Sequence, residues 1–222
     1  MSISTLIFDF DGTIADSFYA VLDVANSLAP EFHYRTVDRS EVPQMRGLSY
    51  RELRDRIGVS WHRIPMVAAR IRREMEGQVP KLPVIDGMQP TLHELHKHVK
   101  LGILTSNTRK NVNDFLAAHD LEVFDFVGTA SNVWGKGRRL RALLRSKGLT
   151  PGEVAYVGDE VRDIEATRSA SVRMIAVAWG YSGRGLLEAH DPDHLVDVPA
   201  DLVEVVKELQ APEQASTQGQ AH

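Results

Sequence analysis

Six short apolar runs, separated by stretches with helical spacing, set the architecture this chain can adopt. Leu6-Ile7-Phe8, Gly102-Ile103-Leu104, Phe126-Val127, Val154-Ala155-Tyr156-Val157, Met174-Ile175-Ala176-Val177 and Leu195-Val196 read as strands. Their apolar residues are continuous rather than alternating, as in strands buried on both faces. Between them, residues 112–118, 140–146, 164–169 and 202–209 carry the apolar stripe of amphipathic helices. Alternation of this kind predicts an α/β fold, a three-layer, doubly wound parallel sheet with right-handed crossovers.

The first crossover breaks the pattern. About ninety residues separate Phe10 from Val99, whereas a strand–helix–strand unit needs about thirty. Residues 18–79 are helix-patterned throughout and end in Pro80-Lys81-Leu82-Pro83, a linker-like return. The expectation is a core built from 1–16 and 81–210, with a small all-helical cap, 17–80, inserted after the first strand. The last stretch, 211–222, is rich in Gln, Ala, Ser and Gly and is expected to be disordered.

With 222 residues and 43% hydrophobic content the chain can bury a core without staples. It has no cysteine, which excludes thiol nucleophiles, thiolate-ligated zinc and iron–sulfur centres. A net charge of -4 argues against a nucleic-acid partner. No run approaches the ~20 apolar residues of a membrane span, and the first residues lack a signal peptide's basic flank and apolar run. A cytoplasmic protein is expected, its oligomeric state left open. The first 80 residues contain no lysine, yet ten arginines lie between Arg35 and Arg73. Nearly balancing acids suit a solvated helical surface. Alternatively, one or two of these guanidinium groups face an anionic substrate.

The chemistry-bearing residues fall at strand ends. Phe8-Asp9-Phe10-Asp11-Gly12-Thr13 closes the first strand with two carboxylates and a Gly-Thr turn, an arrangement disfavoured inside a sheet. In a parallel α/β sheet, ligands bind beyond the carboxyl ends of the strands. With side chains alternating, Asp9 and Asp11 project the same way and can converge on one cation. A second acidic pair, Asp159 and Asp163 in Gly158-Asp159-Glu160-Val161-Arg162-Asp163, follows the fourth strand. N-capping explains Asp159 alone. Four carboxylates on one rim cannot all stay ionised without a compensating cation, and an oxygen-only donor set selects a hard ion, Mg²⁺ foremost. Thr105-Ser106-Asn107-Thr108 follows the second strand and opens a helix, which makes an anion site of hydroxyl, amide and backbone N–H groups. Lys136, between Gly135 and Gly137, reads as a lone amine in a flexible loop within reach of the same rim.

Asp-x-Asp-Gly-Thr, a Thr-Ser after the second strand, a lysine and Gly-Asp-x-x-x-Asp, in that order, resemble the haloacid dehalogenase superfamily, and within it the helical-cap branch typified by phosphoglycolate phosphatases. The resemblance covers the core from Thr5 to about Leu209, and the cap in outline. It implies that Asp9 is a nucleophile, Asp11 a general acid and base, and Thr105 and Lys136 phosphate binders, with Ser106 and Asn107 beside them. It further implies Asp9, the carbonyl of Asp11 and Asp159 as Mg²⁺ ligands, with Asp163 next to or behind the metal. The activity implied is hydrolysis of a small phosphorylated metabolite through an aspartyl-phosphate. One departure is Ala170-Ser171-Val172, where the family usually carries glycine in place of the serine.

Within the superfamily, the acid at Asp11 argues against dehalogenases, which need no proton donor there. The lack of any lysine before Lys81 argues against Schiff-base phosphonate hydrolases. Phe10 and the absence of membrane runs argue against cation-pumping ATPases. Phosphatase and hexose-phosphate mutase remain, with a non-catalytic binding module as the remoter alternative. Arg46-Gly47-Leu48-Ser49-Tyr50-Arg51-Glu52 resembles the cap segment facing substrate in both enzyme branches, which makes Arg46, then Arg51, the cap candidates. His93, His96 and His98 lack partner ligands and read as surface residues. Gly180, Gly183 and Gly185 do not space as a dinucleotide loop and read as a turn, with a substrate-side loop as the alternative, and Trp61, Trp134 and Trp179 read as packing residues.

Overall fold

The computed structural model of the chain describes residues 2–129 and 135–211. The expected tail past Ala211 and Trp134 lie outside them. Six strands, β1 (Thr5–Phe8), β2 (Lys100–Thr105), β3 (Phe126–Thr129), β4 (Val154–Gly158), β5 (Arg173–Val177) and β6 (His194–Val196), form one parallel sheet. Their order is β3-β2-β1-β4-β5-β6, the doubly wound order in which the chain reverses direction beside the first strand. All six expected strands are present.

Continuous apolar strands need cover on both faces, and alternation within β1 supplies each. Leu6 and Phe8 pack with α5 (Met88–Leu95), α6 (Arg109–Ala118) and α10 (Asp201–Gln210) through Leu92, Phe115 and Leu202. Ile7 points to the other layer, where Tyr156 and Met174 meet α7 (Lys136–Lys147), α8 (Val161–Ala170) and α9 (Arg184–Glu188) through Leu140, Ile164 and Leu187. Each fully buried aliphatic side chain contributes about 1.5–3 kcal/mol by leaving water.

Between β1 and α5 the chain forms four helices: α1 (Phe18–Phe32), α2 (Val42–Met45), α3 (Tyr50–Ile57) and α4 (Ile64–Met75). Helix α3 buries no residue, so local chemistry matters to it. Ser49 and Glu52 cap its start reciprocally, Glu52 Oε2 accepting from Ser49 N at 2.9 Å, and Gly58 ends it at φ 74°. The chain leaves and returns side by side, with Asp16 N donating to the Pro83 carbonyl and Ile85 N to the Ile14 carbonyl, both at 2.9 Å. Trp61 is 74% exposed at the start of a short 3-10 turn, so the packing role expected for it does not hold. The Ser171 departure keeps the turn a glycine would make: Ser171 ends α8 in the left-handed region at φ 55°.

Candidate functional site

Parallel register brings the motif residues to one rim. Phe8 pairs with Ile103 on one side and Val157 on the other, so the chain turns out of β1, β2 and β4 at one level. Asp9 and Asp11 leave from β1, Thr105 and Asn107 from β2, and Asp159 from β4. The Asp9 amide donates to the Val157 carbonyl at 2.8 Å and its Oδ1 accepts from Phe10 N at 2.8 Å, which fixes the carboxylate at the strand's end.

Carboxylate oxygens of Asp9, Asp159 and Asp163 all lie within 4.8 Å of one another, and the three residues are buried. Thr13 Oγ1 donates to Asp159 Oδ1 at 2.7 Å, and Tyr181 N donates to Oδ2 at 2.6 Å. Lys136 Nζ donates to Asp9 Oδ2 at 2.6 Å and pairs with Asp163 Oδ1. Lys136 is the first residue of α7 rather than part of a loop. Gly135 at φ 101° turns the chain into that helix, and the ammonium is held over the Tyr156 ring, 5.1 Å from its centroid. The N-cap position of α8 falls to Glu160, not Asp159, and Asp163 Oδ2 accepts from Glu160 N at 3.2 Å.

The Asp11 carboxylate stands outside this acidic group. Strand β1 ends at Phe8, so the regular alternation that would carry Asp11 to the side of Asp9 stops before either residue. Its carboxylate accepts from Asn107 Nδ2 at 3.3 Å. Thr105 is buried at the end of β2, its Oγ1 accepting from Asn107 N at 2.9 Å, with Ser106 half-buried beside it. Asn107 Oδ1 accepts from Asn111 Nδ2 at 3.0 Å and Thr108 N at 2.9 Å, which aims its amide nitrogen at Asp11. Thr108 then caps α6.

Five carboxyl groups, those of Asp9, Asp11, Asp159, Glu160 and Asp163, crowd this rim with two cations, Lys136 and Arg162. Burial, then the charge of Asp9, pushes Asp11 up to about 6. Burial, then Asp9 and Asp163, raises Asp159. Burial raises Glu160 as well, against the pull of the Arg162 guanidinium paired with it. Asp163 is raised by burial against the opposing field of Lys136. Burial lowers the Lys136 ammonium's tendency to stay charged, but Asp163 and Asp9 outweigh it and its pKa is raised. A bound cation would relieve the cost of ionising acids in this setting. Three clustered carboxylates with no sulfur or imidazole donor fit a hard divalent ion.

Residues 178–183 pack against the site, as the loop alternative for their glycines has it rather than a plain turn. Trp179 Nε1 donates to the Thr13 carbonyl at 3.1 Å, and Ser182 N to the Asp159 carbonyl at 3.2 Å. A Cβ at Gly180 would overlap the Asp159 side chain, and one at Gly12 would strike both Asp159 and the Tyr181 ring. The same segment meets the inserted helices: Arg46 donates to the Ala178 carbonyl at 3.0 Å, and Gly183 N donates to the Arg46 carbonyl at 2.7 Å. Gly180 and Tyr181 are residues that sequence reasoning missed, while Thr13, read only as part of a Gly-Thr turn, proves to hold Asp159. Only the Gly-Tyr pair after an apolar strand hinted at them. Arg46 and Arg51 both line a cavity of about 430 Å³ between the inserted helices and α8–α9, walled mainly by apolar residues such as Val21, Met45 and Leu53.

The sequence pattern of haloacid dehalogenase-like hydrolases matches residues 6–177, and the chain belongs to that family. A phosphoglycolate phosphatase of Synechococcus elongatus is 37% identical over 206 residues, covering 92% of this chain and 97% of its own. The pyrophosphatase PpaX of Bacillus mycoides is 26% identical, covering 94% and 99%. Among solved structures, a haloacid dehalogenase-like family protein of Streptococcus pneumoniae superposes with a TM-score of 0.76 at 19% identity, over 91% of this chain and 98% of its own. No helix among the described residues is long and apolar enough to cross a membrane.

Proposed function

We propose that this protein is an Mg²⁺-dependent phosphatase that hydrolyses a small phosphate monoester through an aspartyl-phosphate on Asp9. The observation that carries the reading is the convergence of Asp9, Asp159 and Asp163 within 4.8 Å, bridged by Lys136. Asp9, the Asp11 carbonyl and Asp159, with Asp163 next to or behind them, would hold Mg²⁺, which would supply positive charge against the phosphoryl oxygens. Lys136, the Thr105 hydroxyl, Ser106 and Asn107 hold the remaining oxygens, so that phosphorus lies in line between Asp9 and the departing alkoxide. An Asp9 oxygen attacks phosphorus and the ester oxygen leaves, taking a proton from the Asp11 carboxyl. Asp11, now a carboxylate, removes a proton from water as that water attacks the acyl phosphate, which releases phosphate and regenerates Asp9. A group pushed up to about 6 can both give and take a proton near neutrality.

The inserted helices, 17–80, act as a cap that excludes water during the first transfer, with Arg46 as their residue nearest the substrate. The 37% identical relative makes 2-phosphoglycolate the first substrate to try. A cytoplasmic metabolite of this kind fits a cysteine-free chain. The test is a panel of phosphate monoesters, 2-phosphoglycolate and sugar phosphates included, assayed with Mg²⁺ and with EDTA. Phosphate release that needs Mg²⁺ and disappears in Asp9→Asn is the expected result, and full activity in that variant would overturn the reading.

A further inference from the structure

The cavity between the inserted helices and α8–α9, about 430 Å³, is large enough for a small organic molecule and abuts the acidic rim. Tyr181 lines it while donating its amide to Asp159 at 2.6 Å, and Glu160, the residue after Asp159, lines it as well. Asp9, Asp11, Thr105 and Lys136 do not line it, so a substrate that fills it does so with the part remote from phosphorus. Its wall is mainly apolar. Val21 and Ala25 lie one turn apart on α1, Leu53 and Ile57 one turn apart on α3, and Met45 and Leu186 come from α2 and α9. Polar groups on the wall are committed to the protein itself. Asn26 exchanges two hydrogen bonds of 2.8 Å with the Val37 backbone, and the Tyr34 hydroxyl donates to the Ala25 carbonyl. Arg35 pairs with Glu41 at 2.8 Å, and Arg46 donates to the Ala178 carbonyl at 3.0 Å. Arg51 and Glu165 are exposed to solvent. A sugar buried here would give up water at its hydroxyls for few new partners.

We propose that this cavity receives an apolar leaving group, so that the preferred substrate is the phosphate monoester of an apolar alcohol rather than of a sugar or a short hydroxy acid. Phosphorus stays at Asp9 while the hydrocarbon of the alcohol lies among α1, α3 and α9, where its removal from water favours binding. The short leaving group of 2-phosphoglycolate would leave most of this space unfilled. The inference rests on the phosphatase reading and specifies the alcohol, which the motif residues leave open.

The test is kcat/KM for phosphate release by the full chain with Mg²⁺ from ethyl, butyl and hexyl phosphate, whose alcohols leave with similar chemistry, beside 2-phosphoglycolate and glucose 6-phosphate. Full burial of each added methylene is worth roughly fourfold. The rise from ethyl to hexyl phosphate should therefore be at least about tenfold, and hexyl phosphate should surpass both polar esters. Ala25→Phe fills the cavity from α1, and Leu53→Asn puts a polar side chain on its α3 wall. Each should cut the hexyl-to-ethyl ratio below about threefold, and Leu53→Asn decides the matter if Ala25→Phe does not fold. A smaller rise in the wild type, a preference for either polar ester, or a ratio that the folded variants keep overturns the apolar assignment while the phosphatase reading stands. A wild-type chain that hydrolyses none of these esters defeats both.

Discussion

Lys136 Nζ lies 2.6 Å from Asp9 Oδ2 while also pairing with Asp163, so one ammonium joins the end of β1 to the first turn of α8. The lysine side chain is 11% exposed, and those of Asp9 and Asp163 are 5% and 0% exposed. Removing the cation leaves two buried like charges facing each other. Lys136→Met should therefore cost roughly 3 kcal/mol of stability and lower kcat about 100-fold. A thermal melt and steady-state rates on the best monoester check both. A melt within a degree of wild type would show that the pair is not sustaining the fold.

Divalent cation binding can be read without turnover. Because the acidic cluster is assembled only in the folded chain, Mg²⁺ at about 100 times its Kd should add about 2.7 kcal/mol of stability. The melting temperature should rise with Mg²⁺ and return on adding EDTA. Asp159→Asn should remove most of that rise, whereas an equal rise in this variant would place the cation elsewhere.

Gly180 and Gly185 separate close approach from mere flexibility. A Cβ at Gly180 would overlap Asp159, but one at Gly185 meets nothing within 4 Å. Gly180→Ala should displace Asp159 and lower kcat by at least tenfold, along with the Mg²⁺-induced shift in melting. Gly185→Ala lies inside α9 and should leave the rate unchanged while adding up to about 1 kcal/mol of stability. Equal behaviour of the two variants in the rate assay would contradict the packing described.

Ser171 occupies the left-handed region at the end of α8, at φ 55° and ψ 37°. An L-residue held there costs about 1–2 kcal/mol that glycine escapes. Ser171→Gly should raise the melting temperature by about 2–4 °C, as expected for about 1 kcal/mol in a domain of this size, with no change in kcat. A lower melting temperature would mean that the serine makes a compensating interaction in the folded chain.

The sequence by itself determined the six strands, the helices between them, the helical insert and the acids at the strand ends. Those features are local: apolar runs, periodicity and residue types disfavoured inside strands all appear within a few neighbouring positions. Parallel pairing then follows from alternation with helices, and it brings Asp9 and Asp159 to one rim. Tertiary structure alone decided the rest. Lys136 is an inward-facing helix residue because Gly135 turns the chain into α7, and the Asp11 carboxylate parts from Asp9 because β1 ends at Phe8 and strand alternation does not continue. Gly180 and Tyr181 join the site because β5 ends beside β4, and Arg46 docks on Ala178 because the inserted helices fold back on that segment. These contacts join residues far apart in the chain, 132 positions for Arg46 and Ala178 and 166 for Thr13 and Trp179. Their geometry depends on how helices and sheet pack in three dimensions, and no spacing along the chain records it.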